Sequence, residues 1–194
     1  MKKAENIRLL QQAIACFDDM QAYKQLFLLF YPSLLSFAVS IIKSKELSEE
    51  IVSDVFIKIW EKRRQLDKVE NLSYYLFTAV KNKCLNELKD QKNRETIEIN
   101  DVAIEFKSLY YDPEQKLISE EMISKIQKAI RELPPRCRLI FKLVKEEGFR
   151  YKEVAELLQL SVKTVENQMS LAFKKIGTAI DLKHHHLTSV FSKN

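Results

Sequence analysis

The outward side chains of one short segment, residues 161–170, have the chemical types that read the edges of DNA bases. They are short polar or charged groups: Lys163, Thr164, Glu166, Asn167 and Ser170. An apolar repeat at helical spacing marks the opposite side: Val162, Val165, Met169, Ala172 and Ile176. Ser161 precedes the repeat and is a natural N-cap. Because such groups in the first turns of a helix can enter a major groove, the segment is typical of a recognition helix.

The preceding residues complete a helix-turn-helix. The first helix has an apolar face with Val154, Ala155 and Leu158. The turn lies at Leu160 and Ser161. Two residues depart from the usual pattern, since Gln159 replaces a turn glycine and Arg150 replaces a serine N-cap. A left-handed residue other than glycine costs about 1–2 kcal/mol, which a buried helix pair can absorb. The alternative is a pair of ordinary amphipathic helices with a solvated polar face.

The composition predicts an all-α protein. The 194 residues include two glycines and four prolines, which argues for helices almost throughout. The net charge is +5, but the charges are unevenly distributed. Residues 125–175 contain twelve Lys/Arg and six Asp/Glu, whereas residues 96–123 contain two Lys/Arg and seven Asp/Glu. A basic domain after an acidic connector is typical of a protein that binds nucleic acid.

Apolar periodicity predicts two small helical domains joined by a flexible linker. Helices are expected at 3–17, 19–43, 46–64 and 72–92, with a polar loop at 67–73 and Ser73 as the N-cap of the fourth. The third helix repeats Leu47, Ile51, Val55 and Ile59 at four-residue spacing. The predicted domains are residues 1–92 and 114–180, separated by an acidic linker at 93–113 and followed by a tail at 181–194.

The second domain is expected to open with a helix from Glu114. Its core face comprises Leu117, Met122, Ile126, Ala129, Ile130 and Leu133. Pro134 and Pro135 end that helix, and Pro135 can start the next one. That next helix should point Leu139, Ile140, Leu143 and Val144 inward and end at Gly148 as a left-handed C-cap.

The chemistry-bearing residues outside these motifs give little support to catalysis. Cys16, Cys84 and Cys137 are odd in number and far apart, so we expect reduced, buried thiols in a cytoplasmic protein rather than disulfides or a metal site. The adjacent histidines at 184–186 are interpreted as a solvated tail. No glycine-rich phosphate loop or histidine base occurs elsewhere. We therefore expect no enzyme activity, no cofactor and no metal.

One uncharged stretch, residues 25–42, approaches the length of a membrane span. It contains Pro32 and several serines, and no signal-peptide pattern adjoins it. We interpret it as two packed core helices or one kinked helix, without membrane insertion.

The fourth helix carries a second candidate surface. Tyr75, Thr78, Asn82, Asn86 and Lys89 share one face at spacings of three and four residues. Tyrosine rings can stack on bases, amides can read their edges, and Lys81, Lys83 and Lys89 can follow phosphates. A face of this kind suits single-stranded nucleic acid, although a plain solvated face has the same composition.

Four features in a fixed order resemble bacterial RNA polymerase sigma factors of the extracytoplasmic-function group. They are SEEIVSDVFIKIW at 48–60, YYLFTAVKN at 74–82, a variable linker, and LPPRCR at 133–138 before the helix-turn-helix. The resemblance covers about residues 20–178. It implies two helical domains, region 2 and region 4, that bind core RNA polymerase and promoter DNA, and an anti-sigma protein as the restraint.

The resemblance also implies roles for individual residues. Polymerase contact is implied for Ile51, Asp54, Val55, Lys58 and Trp60, with Asp54 as a polar contact and Trp60 as partly a core anchor. Capture of minus-10 bases is implied for the loop at 67–73 and for Tyr74, Tyr75, Thr78, Lys81, Asn82 and Asn86. Reading of the minus-35 duplex is implied for Ser161, Lys163, Thr164, Glu166, Asn167, Ser170, Lys174 and Lys175.

Two rival interpretations stay open from the sequence. One is a helix-turn-helix regulator that is not a polymerase subunit, of the response-regulator-like kind that binds DNA as a dimer. It predicts an N-terminal α/β receiver domain, for which strand periodicity is lacking. A helical adaptor that binds proteins alone predicts no affinity for DNA.

Overall fold

The computed structural model describes residues 2–92 and 120–180, which belong to two compact units. Every regular element in these two ranges is a helix, which confirms the predicted fold class. The first unit contains α1 (Lys2–Phe17), α2 (Met20–Ile42), α3 (Lys45–Glu61), a 3-10 helix (Arg63–Lys68) and α4 (Leu72–Lys92). The second contains α5 (Glu120–Arg131), α6 (Pro135–Lys145), α7 (Tyr151–Leu158) and α8 (Val162–Ala179). The predicted linker and tail, and Leu117, lie outside the described residues.

Helix α2 is the centre of the first unit. It packs against α1, α3 and α4. Its buried side comprises Ala22, Leu26, Phe30, Leu34, Phe37, Ala38 and Ile42. By length and composition alone this helix could cross a membrane, but the same holds for the core helix of a soluble domain. The structure has one helix with Pro32 inside it, so of the two expected arrangements the single helix is the one present.

Side-chain caps fix where the helices of the first unit begin. Asp19 Oδ1 accepts from the backbone N of Gln21 and of Ala22, at 2.8 and 3.0 Å, and so starts α2. Asn71 Oδ1 accepts from the backbone N of Tyr74 at 3.0 Å and starts α4. The prediction of Ser73 as this cap is wrong, because Ser73 lies inside the helix and is buried.

The connection between α3 and α4 is more ordered than the predicted polar loop. Helix α3 ends at Glu61, and the 3-10 helix Arg63–Lys68 follows at once. The backbone then runs extended at Val69, where φ is −82° and ψ is 109°. Only residues 69–71 separate the two helices, so this backbone has a defined course along α1, which packs against the 3-10 helix.

Helix α8 has the same central place in the second unit, packing against α5, α6 and α7. Pro135 begins α6 as predicted, but α6 ends at Lys145 rather than at Gly148. Gly148 does have the predicted left-handed backbone, with φ of +76°, three residues beyond the helix. The buried residues of α6 are Cys137, Ile140, Phe141 and Leu143, whereas Leu139 and Val144 are only half-buried.

Three further residues that were predicted to be buried are not buried in the structure. On α7 the third core residue is Leu157, and Leu158 is half-buried. On α8 Val162 is 42% exposed, and the buried residues Phe173 and Gly177 extend the apolar side. Among the free cysteines, Cys84 and Cys137 are buried as expected, but Cys16 is exposed.

Candidate nucleic-acid interfaces

The turn between α7 and α8 sets the direction of the recognition helix. Gln159 is left-handed, with φ of 54° and ψ of 49°, in the place where a glycine was expected. The backbone N of Leu160 donates to Ala155 O at 2.8 Å and closes the turn. Ser161 Oγ accepts from Thr164 N at 3.0 Å, which confirms the predicted N-cap. The helix-turn-helix inferred from the sequence is therefore present.

The outward side of α8 presents a mixed polar surface. Five residues at spacings of three, four and seven share one face: Lys163, Glu166, Asn167, Ser170 and Lys174. Lys163 Nζ and Glu166 Oε2 are 3.2 Å apart in an exposed pair. These groups are directed away from the core.

Three predicted residues of α8 take different positions. Thr164 and Lys175 lie about 100° around the helix from this face. The hydroxyls of Ser161 and Thr164 are 2.8 Å apart and bond to each other, so the cap already occupies them. Lys175 is exposed, and its positive charge acts on Cys137.

A thiol holds the middle of the recognition helix to its support. Cys137 Sγ donates to Gln168 O at 3.2 Å and joins α6 to α8. Burial raises the pKa of Cys137, and the charge of Lys175 opposes that effect. Burial also raises the pKa of Tyr151, with a second contribution from the negative charge of Glu166. The thiol stays protonated and can keep donating.

The beginning of α7 adds two exposed cations that the sequence analysis did not assign to binding, Arg150 and Lys152. The backbone N–H of Arg150 donates to Glu153 Oε2 at 2.7 Å, so Glu153 serves the helix start in place of a serine cap. The first helix of a helix-turn-helix crosses the DNA backbone, where such cations suit phosphates. The unusual N-cap residue was the available signal in the sequence.

On α4 the predicted single-strand surface is only partly assembled. Tyr75 is 44% exposed, and Asn82 and Asn86 are exposed beside it. Tyr74 and Lys81 are half-buried at the edge of this surface. Thr78 does not contribute its hydroxyl, since the oxygen is buried and has no hydrogen-bond partner among the described residues. Thr78 itself is half-buried, and its part in minus-10 capture stays a prediction.

The expected polymerase surface on α3 also needs correction. Ile51 and Val55 are 5% and 3% exposed, so they belong to the core and cannot contact a partner while the domain is folded. Asp54 is half-exposed and forms an ion pair with Lys83 of α4. Lys58 is exposed. Ile57, which is absent from the predicted polymerase contacts, is 56% exposed on the same helix.

Trp60 is held by an aromatic and ionic cluster at the end of α3. The ring of Tyr23 lies 4.9 Å from it, centroid to centroid, and the guanidinium of Arg63 lies 4.6 Å over the indole. Arg63 is also paired with Asp18. Tyr23 donates its hydroxyl to Phe56 O at 2.9 Å, and burial raises its pKa. The half-buried Trp60 is thus packed between Tyr23 and Arg63 at the end of α3.

No group of three or more potential metal ligands occurs in residues 2–92 and 120–180. Cys84 is fully buried, and burial raises the pKa of its thiol to about 12. A thiol of that pKa is a poor nucleophile at neutral pH. The residues brought together here are suited to binding nucleic acid and protein.

Comparison with known proteins gives two family matches in the order that the sequence motifs predicted. The family described as "Sigma-70 region 2" matches residues 26–94, and "Sigma-70, region 4" matches residues 123–176. These matches span most of the described part of both units and define the class, a protein built from the two principal domains of a sigma factor. The chain belongs to the sigma-70 family.

A curated relative that matches this chain has low sequence identity to it. A Xanthomonas campestris pv. campestris protein named "Probable RNA polymerase sigma factor RfaY" is 28% identical over 158 residues, which are 78% of this chain and 38% of that protein. The chain thus spans 38% of the length of this curated relative.

Two solved structures are similar in fold to a limited degree. The sigma factor RpoE in complex with the anti-sigma factor NepR from Bartonella quintana is 23% identical, with a TM-score of 0.49, and the match covers 84% of this chain and 99% of that one. CnrH in complex with the cytosolic domain of CnrY is 20% identical, with a TM-score of 0.47, and the match covers 91% of this chain and 97% of that one. The family assignment rests on the two family matches.

Proposed function

We propose that this chain is a sigma factor of the extracytoplasmic-function group, which binds core RNA polymerase in the cytoplasm and directs it to a restricted set of promoters. The observation that carries the proposal is the order of the two family matches, region 2 on the first unit and region 4 on the second. The outward polar face of α8 supports it, because this face has the chemistry of duplex recognition.

Region 4 reads the minus-35 duplex through α8. Glu166 can accept from a cytosine amino group and Asn167 can pair with adenine, and each good contact discriminates by about 1–3 kcal/mol. Lys174 lies two turns farther along the same face and meets phosphates, as do Arg150 and Lys152 at the start of α7. Lys163 Nζ bonds to Glu166 Oε2, and a carboxylate accepts at both of its oxygens, so the pair can persist when Glu166 accepts from a base.

Region 2 captures the minus-10 element once the duplex opens. Tyr75 offers an exposed ring for stacking, and Asn82 and Asn86 offer amides on the same side of α4. Stacking is worth about 1–3 kcal/mol per base and is available only to an extruded base. Capture therefore stabilises the melted promoter and leaves the closed duplex unaffected.

Region 2 also supplies the surface for core polymerase. Asp54, Ile57 and Lys58 form an exposed strip along α3 that combines both charges with an apolar side chain. Such a strip suits a helical protein partner, since apolar contact gives affinity while the charges fix the register. An anti-sigma protein that covers this strip or α8 would restrain the factor. The chain has no catalytic role of its own.

The decisive experiment is transcription in vitro from genomic template by purified core polymerase, with and without this chain. We expect new, discrete start sites that appear only with the chain. DNA binding by the same chain separates the two rivals. A regulator that is not a polymerase subunit would bind duplex DNA without core enzyme, and an adaptor would bind no DNA with or without core enzyme. Identical transcripts in the two reactions would refute the proposal.

A further inference from the structure

A buried glutamine of α1 holds the connection between α3 and α4. Gln11 is 2% exposed. Its Nε2 donates to Leu66 O at 2.7 Å and to Val69 O at 2.8 Å. An amide NH2 has two donor hydrogens, and here both are donated to the same stretch of backbone. Buried polar groups need such partners, and therefore the two bonds fix the connection to α1.

The bond to Val69 is the more consequential of the two. Leu66 O also accepts from the backbone N of Val69 at 3.0 Å and so keeps a partner without Gln11. Val69 O receives its bond from Gln11 across 58 positions in sequence. Arg8 adds an exposed bond from a terminal guanidinium nitrogen to Asp67 O, at 3.3 Å. Side chains of α1 thus bond to three backbone carbonyls of this stretch, those of Leu66, Asp67 and Val69.

The opposite side of the same backbone is open to solvent. Lys68, Glu70 and Asn71 are exposed there, and the exposed ring of Tyr75 follows one turn into α4. The side of the connection that Gln11 holds is therefore the inner one. Helix α1 precedes the matched region 2, which begins at residue 26, so the family match does not account for this contact.

We propose that Gln11 is a positioning residue for minus-10 recognition, which holds the backbone of residues 66–71 in the place where an extruded base is received. It acts through the Leu66 and Val69 carbonyls and does not touch DNA. A connection fixed before binding loses less entropy on binding than a mobile one, so its rigidity adds to affinity. This inference rests on the proposed function and on the minus-10 role that the resemblance to sigma factors implies for the loop at 67–73.

The first test measures the connection itself, in the free protein. Gln11→Leu keeps a similar side-chain size and removes both donors, while Gln12→Leu changes the exposed neighbour on α1 as a matched control. Amide hydrogen exchange of residues 66–71 should accelerate roughly tenfold in Gln11→Leu, the effect of losing about one hydrogen bond. The control should exchange like the wild type. Unchanged exchange in Gln11→Leu would overturn the proposal.

The second test measures base capture by the holoenzyme. A forked promoter fragment, built on a start site mapped with the wild-type chain, carries 2-aminopurine in its single-stranded minus-10 segment. We expect roughly tenfold weaker capture by Gln11→Leu, with wild-type affinity for core polymerase. A merely structural role would lower both affinities in proportion, and that result would overturn the proposal.

The remaining outcomes separate this inference from the proposed function. If wild-type holoenzyme neither starts transcription nor captures the probe, the proposed function fails, and the exchange rates still show whether Gln11 fixes the connection. If exchange accelerates while capture equals the wild type, the positioning role is wrong. If Gln11→Leu does not fold, Arg8→Ala can replace it, because this variant removes the exposed bond to Asp67. We expect a smaller loss of base capture in the same direction. No loss of capture would overturn the proposal.

Discussion

Reversing the charge at Asp54 can separate a contact with polymerase from an internal ion pair. Asp54 pairs with Lys83 between α3 and α4, and the two side chains are 47% and 26% exposed. Because both ends reach solvent, breaking the pair should lower the free energy of unfolding by only about 0.2–1 kcal/mol. Like charges placed together at an interface cost several kcal/mol. A loss of that size weakens binding by roughly 30-fold or more.

Three variants distinguish the two effects. Asp54→Lys should bind core polymerase at least about 30-fold more weakly than the wild type while its unfolding temperature falls by only a few degrees. Lys83→Met breaks the pair without reversing a charge, and it should bind core enzyme almost normally. The double variant Asp54→Lys/Lys83→Asp restores an ion pair within the domain but leaves a cation facing the partner, so it should still bind weakly.

The assay is equilibrium titration of labelled chain with core polymerase, with helicity and thermal unfolding measured for each variant. Recovery of wild-type affinity in the double variant would show that Asp54 acts only through Lys83. Wild-type affinity in Asp54→Lys would remove Asp54 from the interface altogether. Either result would refute the reasoning.

Three further expectations concern α8, its cap and a buried thiol. Glu166→Ala should relax the sequence preference at one or two base pairs, whereas Lys174→Ala should weaken binding to all sequences alike and lower the salt slope by about one. The measurement is holoenzyme selection from a randomised minus-35 library over a salt series. The reverse pattern would contradict this docking of α8. Ser161→Ala removes the acceptor for Thr164 N and should cost about 1 kcal/mol of unfolding free energy in urea, so an unchanged midpoint would contradict the cap. Burial raises the pKa of Cys84 from 9.0 to about 12, so the stability linked to its protonated thiol is complete below pH 9.0 and is lost as the pH rises toward 12. Thermal unfolding of Cys84→Ala should show a shallower decline in that window, and an identical decline would argue against the shift.

Helix positions could be predicted from the sequence because they depend on local periodicity. The fourth helix was expected at 72–92 and occurs at Leu72–Lys92, and the first was expected to end at 17, as α1 does. The precise start signals are less local. Ser73 and Asn71 are both good cap formers, and only the backbone geometry makes Asn71 the acceptor.

The predicted sites failed where motif resemblance did not separate core from surface. Ile51 and Val55 belong to the motif that resembles a polymerase-binding helix, but their four-residue repeat with Ile59 already indicated the core. Helix α7 has only eight residues, so a shift of one position moves the apolar face from Leu158 to Leu157. Gln11 could not be predicted, because its partners are backbone carbonyls 55 and 58 positions away.

That long sequence separation has a consequence for biosynthesis. Helix α1 leaves the ribosome before the rest of the first unit, and the carbonyl of Val69 that Gln11 binds is made 58 residues later. At about 5–20 residues per second, this delay is on the order of 3–12 seconds. The partner of Asp18 in the Trp60 cluster, Arg63, also comes 45 residues later. Helix α2 can pack against α1 early, but the side of α1 that contacts the 3-10 helix stays uncovered until residues 63–69 have emerged.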